Sequence, residues 1–272
     1  MDFSKVKMVV TDMDGTLLDS NHNVSDEFWN LFPKLKANNI HFVAASGRQY
    51  HSMVHKLQAI KDDIHIIAEN GGITQFRDQL LDTESLDFKY VKEILPVLRK
   101  VENVLIVLCA KDKAYIDTKN EEFIAFFKQY YTQYEIVEDL TKLENVEVFK
   151  IAVRHMESSE TYILPFIKEL HNHKDILLKI SGQHWLDISS IKTNKGNALE
   201  KLQKRLGVTI EGTMAFGDYN NDLEMLQKAY FSFAMENAHP NVKETARFST
   251  KTNDENGVEY ILEKVIKAKE NS

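Results

Sequence analysis

Short apolar runs alternate along the chain with amphipathic stretches, a pattern that predicts parallel strands linked by crossover helices, an α/β fold. Residues 7–11, with Val9 and Val10 adjacent, read as a strand covered on both faces that ends at Asp12. Ser25 is placed to cap a helix reaching Ala37, in which Phe28, Leu31, Phe32 and Leu35 recur at helical spacing. Pro33 inside it is expected to kink or split it. A strand at 40–45, a helix at 50–59, a strand at 64–68 and a turn at Asn70-Gly71-Gly72 follow.

From residue 83 to 187 the texture changes. Helices are predicted at 88–101, 121–131 and 158–172, strands at 104–109 and 146–153, and paired strands at 176–181 and 184–188. The tight Ser181-Gly182-Gln183 connection predicts a hairpin, and antiparallel pairing belongs to an α+β unit. The first pattern then resumes, with helices at 195–206, 222–228 and 258–267 and strands at 213–216 and 231–234. The expected organisation is a Rossmann-like parallel-sheet core built from 1–82 plus 188–272, interrupted by an inserted α+β domain at 83–187.

Composition narrows the class without changing that picture. The 272 residues are 43% hydrophobic and 28% charged, values of an ordinary globular chain. A net charge of −7 disfavours non-specific binding to nucleic acid or an anionic membrane. The single Cys109 lies in an apolar run and reads as a core residue. With no signal-peptide pattern and no apolar stretch near the roughly 18 residues that span a bilayer, a cytoplasmic location is expected; the sequence does not reveal an oligomeric state, and a monomer is the default.

The chemistry concentrates at predicted strand ends. Asp12-Met13-Asp14-Gly15-Thr16 puts two carboxylates two residues apart where open α/β sheets bind ligands. Gly217-Asp218-Tyr219-Asn220-Asn221-Asp222 repeats the theme. Taken alone, each is an Asp/Gly turn or a helix cap. A calcium loop is excluded for both: its glycine position falls on Leu17 or Leu223 and its final acidic position on Asn23 or Ala229. In one sheet, Asp12, Asp14, Asp218 and Asp222 would converge and raise one another's pKa values unless a cation such as Mg²⁺ sat among them. Ser46-Gly47-Arg48 after the second strand and Lys195-Gly196 opening a helix add phosphate-binding chemistry, although singly they are an ordinary turn and a surface lysine.

These four segments, in this order, resemble the motifs of the haloacid dehalogenase superfamily of phosphatases, in its Cof-type (subclass IIB) sugar-phosphatase-like branch. Glu69-Asn70-Gly71-Gly72 is similar to that branch's post-strand turn. The resemblance spans nearly the whole chain and implies a type C2 cap inserted between Ser46 and Lys195. It implies a Mg²⁺-dependent phosphatase acting on a small phosphorylated metabolite, with Asp12 as nucleophile and Asp14 as general acid and base. By the same resemblance, the Asp12 carboxylate, the Asp14 carbonyl and Asp218 hold the metal, with Asp222 behind them. Ser46, Gly47, Lys195 and Asn221 then bind phosphate. The chain departs from the branch at Lys192, where a glycine is usual three residues before the motif lysine, which makes Lys192 a rival to Lys195.

Other readings use the same residues. A receiver domain shares the acidic pair, hydroxyl and lysine but is far shorter. A phosphomutase would pass the phosphoryl group to a second hydroxyl instead of water, and a non-catalytic phosphate-binding protein would keep the fold alone. Arg48, Asn70, Gln183 and His184 are expected at the entrance. His171 and His173, two residues apart, do not share a helix face as metal ligands would. Phe123, Phe126, Phe127, Tyr130 and Tyr131 are expected to pack the inserted unit's core, and 201–205 to form a solvated helix face.

Overall fold

In a computed structural model, which describes residues 1–128, 131–181 and 183–271, the chain forms two β-sheets flanked by helices. The first sheet opens with β1 (Met8–Asp12), β2 (His41–Ala45) and β3 (His65–Ala68), followed by β4 (Ile73–Phe76) and β5 (Gln79–Thr83). The second contains β6 (Val104–Ala110), β7 (Ala114–Ile116), β8 (Tyr134–Ile136), β9 (Val148–His155), β10 (Ile176–Ile180) and β11 (Trp185–Ser190). The chain then returns to the first sheet with β12 (Thr213–Gly217), β13 (Phe231–Ala234) and β14 (Phe248–Ser249).

The first sheet has the order β14-β13-β12-β1-β2-β3-β4-β5, parallel from β14 to β3 and antiparallel beyond. From β1 the chain builds outward through β2 and β3, and from β12 it builds the other way. The β1/β12 boundary is therefore the topological switch point where α/β sheets open a crevice. The β4–β5 hairpin was not foreseen, because half-exposed Gln79-Leu80-Leu81-Asp82-Thr83 lacks a clean two-residue alternation.

Helices α1 (Asp26–Ala37) and α2 (Tyr50–Lys56) follow β1 and β2. Ser25 caps α1, its Oγ accepting from the Phe28 N–H at 3.0 Å. Phe28 packs on Phe42 of β2, with ring centroids 5.1 Å apart. Pro33 does not split α1, contrary to expectation; it lies on the exposed face, where water can serve the carbonyl that its ring deprives of a partner.

The second sheet has the order β10-β11-β9-β6-β7-β8, antiparallel except for β7 against β8. One face packs on α3 (Phe88–Leu98), through Val91, Ile94 and Leu95 against Ile151 and Ile188. The other face holds a smaller cluster with Cys109, Phe127 and Tyr131, the last two from α4 (Glu121–Phe127) and just beyond it. Cys109 is thus buried, while Tyr130, Gly182 and the His171 side chain lie outside what the structure describes. The helix expected at 158–172 is broken into α5 (Ser159–Tyr162), α6 (Leu164–Ile167) and a 3₁₀ turn, because Pro165 fits only the first turn of a new helix. Entry to and exit from this sheet are tied together, the Ser190 Oγ donating to Glu84 Oε1 at 3.1 Å.

Helices α7 (Lys195–Leu206), α8 (Leu223–Gln227), α9 (Pro240–Thr245) and α10 (Gly257–Glu270) complete the first unit. Among the described residues, no helix is long and apolar enough to cross a membrane. The start of α7 sits against α8, and a Cβ on Gly196 would lie 2.5 Å from the Glu224 backbone. Gly196→Ala gains about 1 kcal/mol of helix propensity yet forces these helices apart at a cost of about 1–3 kcal/mol. Urea unfolding is expected to show a net loss of stability; a net gain would mean that α7 and α8 separate freely.

Candidate active site

Parallel pairing aligns the ends of β1, β2 and β12: Asp12 faces Ala45, and Thr11 faces Phe216. Asp218 follows β12 directly, and a short turn brings Asp222 back to the start of α8. Lys195, the first residue of α7, enters from behind and is fully buried. Its Nζ donates to Asp12 Oδ1 and, at 2.7 Å, to Asp222 Oδ1. The other Asp222 oxygen accepts from the backbone N–H groups of Asp218 at 3.0 Å and Tyr219 at 3.2 Å. Asp222 therefore fixes the loop that carries Asp218. Thr16 donates to Asp218 Oδ1 at 3.1 Å. Only glycine fits at position 15, where φ is +75° and a Cβ would stand 2.4 Å from Asp218 Oδ2.

One carboxylate oxygen from each of Asp12, Asp218 and Asp222 lies within 4.8 Å of the others. Burial raises the Asp12 pKa well above its ordinary value; Lys195 opposes this, and Asp222 and Asp218 reinforce it. Burial and then Asp222 push Asp218 up to about 7. Crowded, partly desolvated oxygens of this kind suit a small hard cation, and the all-oxygen donor set favours Mg²⁺ or Ca²⁺ over thiophilic metals. Since both Asp222 oxygens are already engaged, Asp12 and Asp218 are the carboxylates with capacity to spare.

Asp14 corrects the expectation of four mutually raised acids. Its side chain turns away to a two-pronged pair with Arg48, Nε to Oδ2 at 2.6 Å and Nη2 to Oδ1 at 2.5 Å. His22 Nδ1 stands 3.2 Å from the same Asp14 Oδ1. Burial raises the Asp14 pKa, but the bonds and charge of Arg48 outweigh it and hold the carboxyl below its usual value.

A cavity of about 340 Å³ opens above Asp12 between the two sheets. Asp14, Ser46, Gly47, Arg48, Asp218 and Asn221 line it from the first sheet. Asn70 sits beside it and accepts from the Asn221 amide at 3.0 Å. Lys192 is exposed on the approach to α7, leaving the interior position to Lys195. Gln183 and His184, expected at the entrance, are not among the lining residues. The second sheet lines the cavity instead with Lys150, Ala152, Trp185 and Asp187, joined by Tyr131. Their signal in the sequence was faint: Lys150 shares its strand with Arg154, and Asp187 is the lone charge of β11, neither in a motif.

The family model of haloacid dehalogenase-like hydrolases matches residues 9–262, nearly the whole chain. The chain belongs to that family. Its Cof-type character agrees with the relatives it matches. It is 34% identical to the 5-amino-6-(5-phospho-D-ribitylamino)uracil phosphatase YbjI of Escherichia coli, over 96% of this chain and 97% of that one. It is 27% identical to the phosphatase YwpJ of Bacillus subtilis, over 96% and 100%. Among solved structures, SMU.1108c from Streptococcus mutans superposes with a TM-score of 0.88 at 28% identity, covering 96% and 99% of the two chains. By enzyme class the chain is a phosphatase of the haloacid dehalogenase-like family.

Folding raises the pKa values of Asp12 and Asp218, so their protonated forms fold more favourably than their ionised forms. Without a divalent cation, the stability of this phosphatase is expected to fall as pH rises from about 4, the unfolded value, through about 7 for Asp218. Asp218→Asn should flatten that slope and raise the thermal midpoint at pH 8 in a chelator, while abolishing stabilisation by added Mg²⁺. A midpoint that falls in the variant would show that Asp218 is not electrostatically crowded.

Proposed function

We propose that this phosphatase is a Mg²⁺-dependent enzyme, acting as a cytoplasmic monomer, that hydrolyses a small phosphorylated metabolite through an aspartyl-phosphate on Asp12. The observation that carries the reading is Asp12 at the floor of the cavity, gripped from behind by buried Lys195 and flanked by Asp218. The Lys195 charge favours the ionised, nucleophilic form of Asp12 against its burial. An Asp12 oxygen attacks phosphorus in line, forming an O–P bond as the bond to the leaving oxygen breaks. Asp14 gives that oxygen a proton. In the second half Asp14 takes a proton from water as the water oxygen attacks phosphorus, which frees Asp12 and releases inorganic phosphate.

The Arg48 pair favours ionised Asp14, the form needed in the second half. Protonating the leaving group requires that pair to loosen, and a substrate phosphate near Arg48 supplies a competing anion. Asp12, Asp218 and the Asp14 carbonyl would hold the metal, which when bound neutralises charge on the phosphoryl oxygens. The Ser46 hydroxyl, the Gly47 N–H and the Asn221 amide position those oxygens, while Lys195, buried behind Asp12, holds the nucleophile in place.

The second sheet acts in this reading as a cap that closes over the substrate and limits water. The Escherichia coli relative is named for a substrate with phosphate on a polyol arm and a ring at the far end. Such a shape suits a cavity with Asp12 at its floor and Trp185 and Tyr131 in its wall.

Phosphate release from a panel of phosphometabolites, with and without Mg²⁺, tests the assignment; an isomeric phosphate accumulating instead of inorganic phosphate would indicate a mutase. Asp12→Asn is expected to fold and to lose turnover by a factor on the order of 10³ or more, and Asp14→Asn to slow turnover by about 10²- to 10⁴-fold. Retained metal-dependent turnover in Asp12→Asn would remove the nucleophile assignment.

A further inference from the structure

Lys150 and Asp187 stand on neighbouring strands of the second sheet, one cross-strand step apart diagonally: Lys150 faces Ser189, and Ala152 faces Asp187. Both side chains are about 95% buried. Three oxygens surround the Lys150 Nζ: it donates to Gly47 O at 2.8 Å and Asp187 Oδ2 at 3.2 Å, and forms an ion pair with Glu69 Oε2 at 3.1 Å. Two of the three belong to loops of the first sheet. Asp187 Oδ2 also accepts from the Asn70 amide at 2.8 Å, and Asn70 Oδ1 in turn accepts from Asn221. Glu69 and Asn70 both take left-handed backbone angles, φ 51° and 55°, in the turn after β3.

The connections are unbroken from β9 and β11 to the three loops that follow β2, β3 and β12. Two of those loops carry Gly47 and Asn221, assigned above to phosphate oxygens. A buried ammonium between two carboxylates is a poor way to gain stability, since well-packed apolar residues of similar size do as well or better. What the cluster supplies is geometry: fixed directions for one carbonyl and two amides at the cavity wall.

We propose that Lys150 and Asp187 are positioning residues that set the phosphate-binding loops from the second sheet, so that the grip on phosphate depends on how that sheet is seated. They act through Gly47, Asn70 and Asn221 without touching the reacting atoms. The proposal rests on the phosphatase reading above.

The test uses the full chain with Lys150→Met, of similar length and uncharged. Its readouts are kcat and KM for p-nitrophenyl phosphate, kcat and KM for the best larger phosphometabolite, and the affinity for inorganic phosphate with Mg²⁺ by calorimetry. For a group acting through its neighbours, kcat on both substrates is expected to fall by about 10- to 100-fold, and phosphate affinity to weaken by a similar factor. Unchanged kcat and phosphate affinity, even with a lower thermal midpoint, would make the cluster merely structural and overturn the proposal. So would a rise confined to KM for the larger substrate, the mark of a direct leaving-group contact. If Lys150→Met does not fold, Asp187→Asn, which keeps the shape and weakens the charge pairing, is read by the same criteria. A wild-type chain that turns over no phosphoester defeats the phosphatase reading. Phosphate affinity alone then decides the proposal, which fails if wild type binds no phosphate or if the variant binds it equally well.

Discussion

The arrangement of the site depends on one buried ammonium. Three carboxylates at the edge of a parallel sheet repel one another, and each loses hydration by being there. Lys195 pins two of them, Asp12 and Asp222, from inside the protein. Burial alone would neutralise this lysine, yet the two aspartates hold it charged, its pKa above the ordinary value. The aspartates thus favour the charged lysine, and the lysine in turn opposes the effect of burial on Asp12. Asp222 passes the constraint on to the Asp218 backbone, so a cation in α7 orders a loop beyond β12.

That dependence explains what the sequence could and could not reveal. Asp12, Ser46, Lys195 and Asp218 were legible because each follows a strand or opens a helix whose own pattern is clear, and parallel pairing then leaves little freedom in where those ends lie. Asp222 was legible for the same reason. The Asp14 side chain was not: its direction is set by competition between a distant arginine and the acidic cluster, which no local pattern encodes. Lys150 and Asp187 were missed because their importance follows from register between β9 and β11 and from the docking of one sheet over another.

The same distinction runs through the fold. Strands buried on both faces, such as β1 and β13, and capped helices such as α1 and α7 announced themselves through apolar runs and caps. Short or half-exposed pieces did not. β7, β8 and β14 span only two or three residues each, too few for any period to emerge. Pro33 and Pro165 show that a proline's effect depends on exposure and on its place in the helix: one is tolerated on a wet face, the other starts a new turn.

The bond between Ser190, the last residue of β11, and Glu84, just after β5, joins the outgoing and returning segments where the chain passes between the two sheets. The residues between them, 85–189, contribute no strand to the first sheet, so their length and sequence do not enter the strand order that assembles Asp12 and Asp218. Any change there must still leave a donor for the Gly47 carbonyl and an acceptor for the Asn70 amide.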